Sequence, residues 1–345
     1  MINKKDVPHS SKFCMLVPLG TAVVLALSGC ASSDGGSANG SESVAAVIKG
    51  LDNTFFQAME DGIEATAEAN GVDVTVQAAA DIGDTTGQAD RLTTLAGQDF
   101  SCFIVNPISG TNLVQALTQV SSAGKSIVNI DNPIDAEAAQ TANIDIATYI
   151  GTDNGAAGRK AGEFVVEQVG SGKVAIIGGV AGDVTSAARV DGFKDAIDGE
   201  LEVIQETAAD WQRELALTAA IDIIAANPDV KAFFAANDDM GLGIVKAIEN
   251  AGLSGSIVVV SVDGNEDALQ SVADGGLTAT VAQYPYAIGT LGLQACQVLA
   301  AGGEVPEEIE SPTALVTADI ADEALAQFPQ PFEEFENPLT ELLSD

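Results

Sequence analysis

The stretch KAFFAANDDMGLGIVKAIENAGLSGSIVVVSVDGNEDA, residues 231–268, decides the fold. Ala232 to Ala235 is a short apolar run of strand character. Met240 to Ala251 carries a helical pattern that stops at Gly252, and Ile257 to Val262 is a second apolar run, rich in β-branched residues. Two strands apolar on both faces with a helix between them form the unit of a parallel sheet covered on both sides. Asn237 and Asp263 each fall just past the carboxyl end of a strand, the edge at which open α/β sheets bind ligands.

The same alternation runs outward in both directions. Val44 to Ile48, Val72 to Gln77, Cys102 to Val105 and Ser126 to Ile130 precede about residue 150, and Lys173 to Gly178, Leu201 to Glu206 and Ala279 to Ala282 join the two strands above after it. Gly124 ends a helix over Thr111 to Ala123, and Asn227-Pro228 stops the one that follows Trp211. At about 100 to 200 residues per domain, 345 residues favour two globular units. The expected fold class is therefore α/β, built as two doubly wound parallel-sheet lobes.

Charge and composition exclude several functions. With 14 Lys+Arg against 50 Asp+Glu the formal charge is -36, a field that repels nucleic acid and anionic lipid. The single histidine, His9, lies in a segment read as removed, which leaves neither a histidine base nor a multi-histidine metal site. Gly178-Gly179-Val180-Ala181-Gly182 lacks the spacing of a dinucleotide loop, and no G-x-S-x-G elbow occurs. The expectation is a chain that is not an enzyme and carries no cofactor or metal.

The N-terminus reads as an address. Lys4, Lys5 and Lys12 precede an apolar run from Phe13 to Leu27, too short to span a bilayer as a helix, and then Leu27-Ser28-Gly29-Cys30. Residues 1–30 are expected to be a signal peptide, and 31–43, ASSDGGSANGSES, a flexible tether. With Cys14 removed, Cys102 and Cys296 are expected to be separate buried thiols rather than a disulfide.

Polar and aromatic residues collect past the strand ends. Lys49 and Asn53 follow the first strand, Asp131 and Asn132 the fourth, and Arg189 the loop after Gly178; Trp211, Asn237, Asp263 and Gln283 follow later strands. Singly they have ordinary explanations: Asn237 and Asp263 as helix caps, Arg189 as a partner of Asp191 or Asp195, Trp211 and one of Phe55 and Phe56 as packing residues. Their common placement at one edge points to a site between two halves. Carboxylates and amides that accept and donate, beside flat rings at Phe55, Phe56 and Trp211, suit a neutral polyol whose hydroxyls do both and whose C–H faces stack on rings.

At these residues the sequence resembles the sugar-binding lipoproteins and periplasmic proteins of the ribose-binding type, the type I periplasmic binding protein fold that serves ABC importers. The likeness runs from about Val44 to Val316 on VIKGLDNTFF, IVNPISGTN, NIDNP, GTDNGAAG, TSAARVDGF, AADWQR, FFAANDDMGLG, VVVSVDGNEDA and ATVAQYPYAIG. LSGC resembles a lipobox, implying lipidation of Cys30, a membrane anchor and an extracytoplasmic location. The resemblance implies sugar contacts from Lys49, Asn53, Phe55, Phe56, Asp131, Asn132, Arg189, Trp211, Asn237, Asp263 and Gln283. It also implies three hinge crossovers near Thr152, Gln283 and Pro312, hence an N-terminal lobe of 44–152 plus 284–312 and a C-terminal lobe of 153–283 plus 313–320. The acidic segment 321–345 lies outside the likeness and is expected either to pack on a lobe or to stay disordered. Lys49 and Trp211 look like the allose-binding branch, so the expected ligand is ribose, allose or a similar aldose or polyol. The permease of the importer is the implied partner, and the protein is expected to be a monomer. A receptor for a furanose-like quorum signal and a glycoside-acting enzyme that uses Asp131 and Asp263 are the competing readings; a sugar-responsive repressor would carry a basic helix-turn-helix where this chain has a signal.

Overall fold

The computed structural model describes residues 43–344, so the expected signal peptide, nearly all of the expected tether, His9, Cys14 and Cys30 lie outside the described residues. In chain order the strands are β1 (Ser43–Ile48), β2 (Asp73–Ala78), β3 (Cys102–Val105), β4 (Ser126–Ile130), β5 (Thr148–Thr152), β6 (Gly172–Gly178), β7 (Leu201–Ala208), β8 (Val230–Ala235), β9 (Val258–Asp263), β10 (Ala279–Gln283), β11 (Glu308–Ser311) and β12 (Thr313–Thr317). They form two six-stranded sheets, ordered β11-β5-β4-β3-β1-β2 and β12-β10-β9-β8-β6-β7. Every pairing is parallel except that of β12 with β10.

The helices α1 (Thr54–Asn70), α2 (Thr85–Ala96), α3 (Val114–Ser122), α4 (Ala136–Thr141), α5 (Asn154–Val169), α6 (Val184–Ile197), α7 (Arg213–Ala226), α8 (Asp238–Asn250), α9 (Glu266–Ala273), α10 (Pro285–Ala300) and α11 (Ala321–Gln327) cover both faces of the sheets. Central strands such as β1, β3 and β8 are consequently buried along almost their whole length, which is why they read as unbroken apolar runs. The chain is two α/β lobes, each with its own sheet.

Three strands escape the apolar-run reading: β5, β11 and β12. In β11 exposed and buried residues alternate, and it lies at a sheet edge, so Glu308 and Glu310 are tolerated there. These same strands adjoin the crossings. The chain passes from the first sheet to the second between β5 and α5, returns at Tyr284, where β10 gives way to α10 on the first sheet, and passes over once more at Pro312, between β11 and β12.

One expectation is overturned here. Cys102 in β3 and Cys296 in α10 are joined by a disulfide, with Cα atoms 5.8 Å apart and a sequence separation of 194. The pairing arises because α10 returns across the chain to pack on β3 and β4, a long-range placement that the local pattern around either cysteine does not reveal.

Glycines let particular helices approach closely. A Cβ at Gly158 of α5 would lie 2.0 Å from the Arg189 carbonyl oxygen, and one at Gly192 of α6 would lie 2.1 Å from the Gly155 carbonyl oxygen. No side chain fits at either point, so α6 is seated backbone to backbone against α5. That contact sets the position from which Arg189 reaches inward.

Candidate functional site

A cavity of about 450 Å³ lies between the lobes at the carboxyl ends of their strands. Of the eleven residues expected to contact ligand, Lys49, Asn53, Phe55, Phe56, Asp131, Arg189, Trp211, Asn237 and Asp263 line it. Asn132 and Gln283 do not; both are almost fully buried behind the wall. The Asn132 amide donates to the Pro107 carbonyl at 3.0 Å, while its Oδ1 accepts from the Thr185 hydroxyl at 3.2 Å. Gln283 Nε2 donates to Asp263 Oδ1 at 2.8 Å. Each therefore holds a wall of the cavity through these bonds. Asp131, at φ 60°, reverses the backbone after β4, so Asn132 turns toward the loop that follows β3.

On the N-terminal side Asn53 caps α1: its Oδ1 accepts from the Phe55 amide at 2.9 Å, while its Nδ2 reaches Asp239 Oδ2 of α8 at 3.1 Å. Asn53 is thus both helix cap and inter-lobe contact. Phe55 and Phe56, in the first turn, meet edge to face with ring centroids 5.3 Å apart. Lys49 Nζ lies 5.2 Å from the Phe56 ring and 3.2 Å from Asp131 Oδ2, so the cation is held over an aromatic face beside an opposite charge.

Arg189 organises the C-terminal side. Its Nε donates to Asn154 Oδ1 at 2.7 Å, and its Nη1 donates to the Ala236 carbonyl at 2.7 Å and to Asp263 Oδ1 at 3.1 Å. Pairing with Asp191 or Asp195 does not occur; the partner is Asp263 of β9, and the pair is almost completely buried. Asp263 is not the cap of α9, a position taken by Asn265. Asn237 does cap α8, accepting from the Met240 amide at 2.9 Å. Behind these, the buried Asp238 accepts from Thr280 Oγ1 and from the Asn265 amide, both at 2.7 Å, and from the Ser261 hydroxyl, which ties α8 to β9 and β10.

Backbone strain concentrates at this edge. Asp131 (φ 60°), Trp211 (φ 65°) and Asp263 (φ 142°) all occupy the region that favours glycine, and all three face the cavity. Such conformations persist where surrounding structure over-determines them, as at ligand clamps. The Trp211 ring lies directly against the Gly179 backbone, where a Cβ would come within 2.2 Å of it. Gly179 thus leaves room for the Trp211 ring to seat against the backbone after β6.

Burial pushes the Asp263 carboxyl up to about 6; Arg189 pulls it down, while Asp131 and Asp239 add to the rise. Asp238 is likewise raised, by burial first and then by Asp263. Tyr149 is held firmly protonated by burial and by Asp131, and its hydroxyl donates to the Asp131 carbonyl at 2.7 Å, bracing that strained residue. Tyr149, Asn154, Thr185 and Asp239 all serve the site without having been singled out. Asn154, Thr185 and Asp239 lie inside the motifs GTDNGAAG, TSAARVDGF and FFAANDDMGLG, the last two of which also hold Arg189 and Asn237.

The model of a periplasmic binding protein domain matches residues 44–304. The chain belongs to that family. It is 35% identical to the D-allose-binding periplasmic protein of Escherichia coli (strain K12) over 254 residues, covering 72% of this chain and 82% of that protein. The ribose import binding protein of Bacillus subtilis (strain 168) is 32% identical over 271 residues, covering 78% of this chain and 85% of that one. Among solved structures, an ABC transporter periplasmic solute binding protein from Actinobacillus succinogenes 130z with bound D-allose superposes with a TM-score of 0.78 at 28% identity, covering 81% of this chain and 99% of that chain.

Proposed function

We propose that this protein is the extracytoplasmic binding component of an ABC sugar importer and that its inter-lobe cavity encloses one monosaccharide of the allose or ribose kind. The observation that carries this reading is the buried Arg189–Asp263 pair, which presents a fixed donor and acceptor to a cavity flanked by Phe55 and Phe56 from one lobe and Trp211 from the other. The relatives named for allose and ribose support the ligand class. Each sugar hydroxyl needs a donor and an acceptor, and a site that supplies both rejects analogues lacking the hydroxyl, since its own buried groups are then left unpaired. Asp131 and Asp263 are each bonded to a cation, Lys49 and Arg189, which fixes their carboxylates as hydrogen-bond acceptors for sugar hydroxyls.

The lobes 44–152 plus 284–312 and 153–283 plus 313–320 would move about the three crossings. A sugar bound to one lobe gains contacts with the other only on closure, so it shifts the population by its differential affinity for the two states. The permease would read the closed pair of surfaces. Cys30 would carry the lipid that keeps the protein at the membrane, as a monomer. A thermal-shift screen against aldoses, ketoses and polyols tests the reading: D-allose or D-ribose is expected to raise the melting temperature, because a ligand of the native state alone stabilises it. No shift with any monosaccharide would overturn it.

Affinity is expected to depend on pH. A sugar hydroxyl donates to the ionised Asp263, whose carboxyl titrates at about 6, so binding is full above that pH and falls roughly 10-fold between pH 7 and pH 5. Stability without ligand moves the other way. The folded carboxyl titrates above its ordinary value of 3.8, so between about pH 4 and 6 the native state binds more protons than the unfolded chain, and this group's cost to stability is relieved as pH falls. Calorimetric titrations at several pH values check the first effect; a flat affinity profile counts against Asp263 as a hydroxyl acceptor.

A further inference from the structure

The segment after β12 lies beyond the matched domain, which ends at residue 304, and its side chains touch both lobes in succession. Ala321 and Ala324 of α11 are buried in the core of the second lobe, with α11 against α9, and Leu325 and Phe328 pack on that core. Phe332 then reaches a separate small cluster made of Tyr284, Ala287 and Ala314, residues that flank the crossings at Tyr284 and Pro312. It meets the Tyr284 ring edge to face, with centroids 5.6 Å apart. Phe335 packs on the same cluster and on the core of the first lobe, and Leu339 is fully buried in that core. Asn337 Nδ2 donates to Gln294 Oε1 of α10 at 2.8 Å, and its Oδ1 accepts from the Leu339 amide at 2.9 Å, securing the far end.

We infer that residues 321–343 form a strap that links the two lobes across the crossings and restrains their opening. The apolar residues Phe328, Phe332, Phe335 and Leu339 are separated by acids and prolines, so the strap anchors at points while its remaining surface stays solvated. Pro329, Pro331 and Pro338 limit the freedom an undocked segment would regain, which favours docking. Both anchors are engaged in an arrangement whose lobes also touch across the cleft through Asn53 with Asp239 and Thr185 with Asn132. The strap therefore favours the closed state, and an opening that separates its anchors must release Leu339 or stretch the Phe332 contact. This inference rests on the proposed lobe motion, not on the identity of the sugar.

The test compares the unaltered protein with Leu339→Asp and with a chain ending at Gln327. Small-angle scattering without sugar is expected to give a larger radius of gyration for both variants, and the dissociation rate of the sugar found by thermal shift is expected to rise 3- to 10-fold. An unchanged radius and an unchanged dissociation rate in folded variants overturn the strap. Should both variants fail to fold, hydrogen exchange of the unaltered protein decides: protection of 335–343 upholds the docked strap, and exchange at unfolded rates refutes it. The scattering arm uses no sugar, so a failure of the sugar reading is distinguishable from a failure of the strap.

Discussion

Replacing Arg189 with alanine is expected to weaken monosaccharide binding by about 3 kcal/mol, roughly 100-fold, and Asp263→Ala to do the same. Arg189 spends its guanidinium on three partners, Asn154, the Ala236 carbonyl and Asp263, while Asp263 also accepts from Gln283. Removing the arginine leaves a buried carboxylate with one neutral donor. Removing the aspartate leaves a buried cation without its counter-charge, and either loss strips a hydroxyl partner from the cavity wall. Isothermal titration with the sugar identified by thermal shift measures the effect. Lys194→Ala serves as control, since Lys194 belongs to exposed pairs with Asp191 and Glu206 and its loss should leave affinity unchanged. Near-native affinity in both site variants would remove the cavity wall from the binding mechanism.

Replacing both Cys102 and Cys296 with alanine is expected to lower stability by about 4 kcal/mol while leaving sugar affinity unaltered. The bond joins cysteines separated by 194 positions in sequence, and cross-linking so long a loop removes much of the unfolded chain's freedom. Cys102 opens β3, at the strand end opposite the cavity, so the wall residues keep their places. Chemical denaturation followed by circular dichroism reads the loss; an unmoved midpoint would show that the cross-link contributes little. A disulfide of this kind accords with an oxidising, extracytoplasmic setting.

The α/β class, the two lobes and nine of the twelve strands among the described residues were legible in the chain because central parallel strands are apolar on both faces and glycine or proline stops their helices. β5, β11 and β12 were not, being short and mixed in polarity beside the crossings. Nine of the eleven expected ligand residues line the cavity, since position past a strand end is a local property. Asn132 and Gln283 sit one layer back because the side-chain direction there follows from a reversed backbone at Asp131 and from the neighbouring Asp263 carboxylate.

Periodicity and the order of motifs thus determined the architecture and the edge where the site forms, since both depend on contacts between near neighbours in the chain. Tertiary structure alone decided three things: the Arg189–Asp263 pair, the disulfide, and the path of residues 321–343 over both lobes. Each joins groups far apart in sequence, whose meeting depends on how whole helices and strands pack rather than on any residue's immediate surroundings.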